Sequence, residues 1–138
     1  MQENETAAKA EDAQLVTDRV VYENRAEGVT IRADKPDAQY GGASHLYTIS
    51  IKGAEGEDEY FMSIDFQKGP IKEVGRNGVP DKALLLILQH RLEDFQDSRW
   101  ACRENASSLE AVGQIIRAQD ERTDRRTKAG TEGTGSGN

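Results

Sequence analysis

A single cysteine, Cys102, stands among 138 residues, which excludes an intramolecular disulfide framework and any CxxC metal site. Such usage fits a reducing cytoplasm. The only histidines are His45 and His90, and they do not stand in a metal-ligand spacing. Cys102, without a convincing base, reads as a small buried residue rather than a nucleophile. The expectation is a non-enzyme with no catalytic residue, no metal site and no cofactor. Long apolar runs are also missing. The longest, Ala83 to Leu88, is far too short to span a bilayer, and the opening MQENETAAKAEDAQ lacks a basic start followed by an apolar stretch. No membrane partner and no classical export are expected. Cations are scarce as well: 18 Lys and Arg face 25 Asp and Glu for a net charge of -7. That balance argues against duplex nucleic acid, whose grip needs many Lys/Arg contacts to a regular phosphate array.

The cations present are unevenly placed. Residues 1 to 98 carry 11 Lys/Arg against 19 Asp/Glu, whereas residues 99 to 138 carry 7 against 6. A small anion would therefore bind in the last third. Hydrophobic residues make up 36% and charged residues 31%, a mixture that suits one modest core with solvated ends. Residues 1–14 read as a mobile leader, 15–79 as an antiparallel β region, 80–130 as a helical hairpin and 131–138 as a loose Gly-rich tail. The fold class expected is α+β.

Five short strands are expected at Leu15 to Tyr22, Val29 to Arg32, His45 to Lys52, Tyr60 to Gln67 and Ile71 to Val74. The third and fourth alternate with period two and should form a hairpin with one buried face. Gly69-Pro70 and Asn77-Gly78 mark turns on either side of the fifth. Pro80-Asp81 resembles a helix start, and Lys82 to Gln96 carries Leu84, Leu88, Leu92 and Phe95 as one stripe. Ala101 to Lys128 forms a second helix facing its partner through Leu109, Val112, Ile115 and Ile116, with Gly130 as its cap. A short connection makes the two helices antiparallel, and their uncovered apolar faces call for the sheet, a second copy, or both.

Val112, Ile115, Gln119, Arg122 and Arg126 follow steps of 3, 4, 3 and 4, so two arginines continue the apolar seam. One reading leaves them wet or paired with Asp120, Glu121 or Asp124 beyond the end of the partner helix. The other makes them an anion clamp, since guanidinium groups one turn apart can each hold a phosphate bidentately. Phe95 and Trp100 flank the interhelical turn, with Asn105 one turn into the second helix. They either cap the small core or offer a stacking surface and a polar edge reader. Turn and arginines lie at opposite ends of the helix, so one ligand would reach both only through an antiparallel second copy.

The stretch Phe66-Gln67-Lys68-Gly69-Pro70-Ile71-Lys72-Glu73 through Asn77-Gly78-Val79 resembles the β region of the Thoeris anti-defence signal-sponge family of phages. Arg91 to Gln96, Ala101-Cys102-Arg103-Glu104-Asn105-Ala106, Arg122-Thr123 with Arg126, and Gly130 with Glu132-Gly133-Thr134 are similar to its hairpin signature. The same hairpin is shared with anti-CBASS cyclic-nucleotide sponges. Trp100, Thr131 and Asp124-Arg125 depart from the usual pattern. The resemblance implies an assembly of dimers, up to a hexamer built as a trimer of dimers, that sequesters cyclic ADP-ribose isomers made by TIR-domain enzymes without cleaving them. Cyclic di- or trinucleotides in separate pockets are a further implied partner, and the host cytoplasm the implied location. Phe95 then stacks on adenine, Asn105 makes a polar contact, and Arg122 and Arg126 clamp the pyrophosphate. Arg91, Trp100, Glu132, Gly133 and Thr134 form a secondary set.

Three readings compete with sequestration: an enzyme that hydrolyses the signal, a regulator using the hairpin as a helix-turn-helix, and an interaction scaffold without a small ligand. The first lacks a nucleophile and base, and net acidity weighs against the second. Unpaired hairpin faces keep the third open.

Overall fold

The computed structural model describes residues 17–55 and 59–136. The leader expected over residues 1–14, with Leu15 and Val16 of the first expected strand, lies outside the described residues. The fold is α+β, as expected, and divides into two compact units, one running through Lys68 and the other from Gly69 onward.

The first unit is an antiparallel meander of β1 (Arg19–Asn24), β2 (Val29–Ala33), β3 (Leu46–Ile51) and β4 (Tyr60–Asp65), ordered β1-β2-β3-β4. Ile31 faces Ile49, which faces Met62, and Ala33 faces Tyr47, which faces Ile64. Period-two alternation thus gathers Val29, Ile31, Ile49, Ile51, Met62 and Ile64 with Tyr47 and Tyr60 on one face and puts Thr30, Thr48, Ser50 and Ser63, with Phe61, on the other. Tyr47 and Phe66 meet edge to face with centroids 5.6 Å apart, while Thr48 shares a buried 3.0 Å hydrogen bond with Thr17. The apolar face is only partly covered: Tyr60 is 76% and Met62 53% exposed. A single sheet layer buries a face only against a second layer, and the described residues of this unit contain no helix.

The β1–β2 turn is closed by Asn24, whose side-chain oxygen accepts from the Ala26 and Glu27 amides at 3.0 and 3.3 Å. Gly28 follows at φ +70, where an added Cβ would lie 2.8 Å from the Lys52 carbonyl oxygen. Gly28→Ala is expected to destabilise this unit by about 1–3 kcal/mol, through both left-handed strain and that collision. A drop in denaturation midpoint at constant m-value checks this; an unchanged midpoint would contradict the turn geometry.

In the second unit, Ile71 to Val74 is a four-residue helix, α1 (Ile71–Val74), and not the fifth strand expected from its composition. Pro70 enters at φ -68 and Gly75 leaves at φ +78. With Pro before it, Gly after it and Lys-Glu inside, the local backbone closes one turn before any strand partner is reached.

Helices α2 (Asp81–Gln96) and α3 (Arg103–Lys128) form the antiparallel hairpin. Leu92, Val112 and Ile116 are buried, with Leu85 and Leu109 packed against them. Lys82 pairs with Asp120. The expected seam is rotated only in part. Leu88 and Ile115 are exposed and Leu85 packs inward instead, whereas Leu92, Leu109, Val112 and Ile116 lie where expected. Ala83 to Leu88 is apolar all round the helix, so sequence period alone could not phase it, and the partner selected the face. No helix among the described residues is long and apolar enough to cross a membrane.

Candidate functional site at the two ends of the helical hairpin

At the turn of the hairpin, Arg91 lies over the Phe95 ring, its guanidinium carbon 5.0 Å from the centroid. A residue one turn earlier on the same helix is placed to do this. Phe95 is half-buried. Its carbonyl accepts from the Ser98 hydroxyl at 2.7 Å, and that same hydroxyl accepts from the Trp100 amide at 3.1 Å. The turn is therefore held by polar contacts. It presents Trp100 62% exposed, with the Arg99 guanidinium carbon 4.8 Å from its ring. Arg99 was not singled out in the sequence, because a cation beside an aromatic in a turn has no periodic signature.

Cys102 corrects an expectation. Its thiol is exposed and not buried, and it is the N-cap of α3, with Sγ accepting from the Asn105 amide at 3.4 Å. The Cys102 amide donates to Gln96 Oε1 at 3.1 Å, tying the two helix ends together. A cap needs a non-helical residue with an acceptor, and Cys102 is extended at φ -151, ψ 164. Asn105 then sits half-buried in the first turn of α3, on the same end of the hairpin as Phe95.

The opposite end carries Arg125, Arg126 and Lys128 in the last turn of α3, where cations suit the negative end of the helix dipole. The two predicted clamp residues have different surroundings. Arg122 is exposed, one heptad along from the exposed Ile115. Arg126 is only 6% exposed. Its Nη2 donates to the Thr131 and Thr134 carbonyls at 2.7 and 3.0 Å and its Nη1 to the Ser136 carbonyl at 3.1 Å. Its Nε is 3.3 Å from Glu132 Oε2.

Residues 131–136 are consequently folded back over the helix end instead of loose, and Gly130 at φ +73 makes the reversal. The segment also reaches α1: the Gly133 carbonyl accepts from the Lys72 amide at 2.9 Å, and Glu73 Oε1 from the Gly135 amide at 3.1 Å. Arg126, Glu132, Gly133 and Thr134 are thus brought together, as are Arg91 with Phe95. Lys72, Glu73 and Ser136 belong to the second cluster and were missed, since Lys72 and Glu73 make contacts spanning some sixty residues and Ser136 contributes only its backbone carbonyl. Asn105 and Arg126 stand near opposite ends of α3, about 30 Å apart along its axis at about 1.5 Å per residue. One small ligand cannot touch both within one chain. Among the described residues, no three His, Cys, Asp or Glu side chains gather as a metal-ion set.

No family model matches the chain. Over 95 residues it is 33% identical to Thoeris anti-defense 1 of Bacillus phage SBSphiJ7, an alignment covering 69% of this chain. The chain spans 65% of the length of that relative.

Proposed function

Because this chain belongs to the Thoeris anti-defence family, we propose that it is a phage anti-defence protein that sequesters cyclic ADP-ribose isomers in the host cytoplasm without cleaving them. The observation that carries the reading is the composite hairpin: a half-buried aromatic and an Asn105 at one end of α3, and two arginines near the other. An adenine has a π face for Phe95 and polar edges for Asn105, while a pyrophosphate takes guanidinium groups through paired charge-assisted hydrogen bonds.

Arg91 lies over the Phe95 ring, and a base stacked on the opposite face would complete a cation–ring–base stack. Since the two ends are too far apart for one small ligand, a second copy running antiparallel supplies the missing half, and the working form is a homo-oligomer. Depletion of the signal is stoichiometric, so affinity and copy number set the effect and no bond is broken.

The test is calorimetry against a panel of cyclic ADP-ribose isomers and cyclic di- and trinucleotides, followed by denaturation and recovery of the ligand. The expected result is saturable binding with intact cyclic ADP-ribose recovered in full. Recovery of a linear product overturns storage in favour of hydrolysis. Binding confined to cyclic oligonucleotides assigns the protein to the other class of sponge.

A further inference from the structure

The segment Thr131 to Ser136, TEGTGS, has almost no apolar surface to bury, yet it is folded against α3 and α1. Polar contacts hold it, and several meet at the Arg126 guanidinium: the carbonyls of Thr131, Thr134 and Ser136 accept from it and the Glu132 carboxylate pairs with it, while the Thr131 and Glu132 amides donate to the Arg126 carbonyl. A guanidinium grips an anion bidentately either through its two Nη atoms or through Nε and Nη2. Both edges include Nη2. Each Nη2 hydrogen is already given to a tail carbonyl, Thr131 at 2.7 Å and Thr134 at 3.0 Å. Glu132 stands 3.3 Å from Nε, yet its buried Oε2 makes no directed hydrogen bond. It is held there by charge, where an incoming anion would sit.

We propose that residues 131–136 are a latch on Arg126, and that an anion takes the guanidinium bidentately only by displacing them. The proposal rests on the reading of Arg126 as a pyrophosphate contact. Exchange is chemically matched: carbonyl oxygens and one carboxylate leave as phosphate oxygens arrive, and the phosphate repels Glu132. The coupling is reciprocal, so whatever loosens the segment strengthens anion binding, and binding loosens the segment. The far side of the latch is Glu73, which accepts from the Gly135 amide, and Gly133, where an added Cβ would come within 3.1 Å of Lys72 Cγ at φ +74. Neither touches the guanidinium in this arrangement.

Amide hydrogen exchange on the full chain tests this, read at Thr131, Glu132, Thr134 and Gly135. Arg126→Ala without ligand is expected to speed their exchange at least about tenfold, because it removes donors from three carbonyls. Unchanged protection in that variant overturns the latch outright. Adding cyclic ADP-ribose to the unmodified protein is expected to speed the same amides. Glu73→Ala and Gly133→Ala are expected to bind it about threefold tighter or more, losing part of the competing contact set. Slower exchange on binding, or weaker binding by both variants, overturns the proposal and makes the segment a platform that positions the ligand. If the unmodified protein binds no cyclic ADP-ribose, the sequestration reading falls, and inorganic pyrophosphate decides the latch separately: faster tail exchange supports it, and unchanged exchange at saturating pyrophosphate rejects it.

Discussion

Arg122→Ala is expected to weaken capture of cyclic ADP-ribose about a hundredfold or more, with no loss of helix content and no change in oligomeric mass. A bidentate guanidinium–phosphate contact contains two charge-assisted hydrogen bonds of about 1.5–3 kcal/mol each, so losing both spans more than two decades in affinity. Arg122 is exposed on α3 and lies outside the Leu92, Val112 and Ile116 core, so helix content is expected to hold. Arg126→Ala is expected to lose affinity by a similar factor, but with a second signature. Three tail carbonyls and the Glu132 carboxylate lose their partner, and residues 131–136 become sensitive to protease while those of Arg122→Ala do not. Calorimetry, circular dichroism and light scattering on the same samples separate these effects. Unchanged affinity in both variants would remove the arginines from the site.

The second large effect concerns stability. The hairpin core consists of Leu92, Val112 and Ile116, with Leu85 and Leu109 alongside. Leu92 is its single buried side chain on α2. Leu92→Ala removes the centre of that contact and leaves a cavity between two helices that are otherwise largely exposed, at a cost of about 2–5 kcal/mol. A domain's entire stability is about 5–15 kcal/mol, so a core this thin is expected to lose most of its cooperativity. Leu88→Ala, at a position 44% exposed on the same helix, is expected to cost less than about 1 kcal/mol in the monomeric unit. Urea unfolding followed at the helix signal distinguishes the two. Equal midpoints would place the packed seam on the wrong face of α2.

Where the chain was legible, the signal was local. Strands β2 to β4 alternate with period two, and their observed bounds fall within one or two residues of expectation. Helix α3 was readable because its apolar positions repeat over several turns and Gly130 closes it. Ile71 to Val74 misled because two β-branched ends outweighed the flanking Pro70 and Gly75, which act on the backbone more directly than side-chain preference does. The candidate residues were named from spacing and resemblance, but their division into two clusters at opposite ends of α3 and the contacts each makes were not legible.

The sequence by itself determined strands β2 to β4, the two long helices and the gathering of cations near the end of α3, because period, capping and charge are properties of neighbours along the chain. Only the tertiary structure decided which stripe of α2 is buried, that Arg126 turns inward to hold residues 131–136, and that Arg122 stays exposed. The reason is that a guanidinium goes to whichever acceptors surround it. Here those are carbonyls beyond a Gly130 reversal, a segment anchored in turn by Lys72 and Glu73 from the far side of the hairpin in sequence. No spacing within one helix encodes that arrangement.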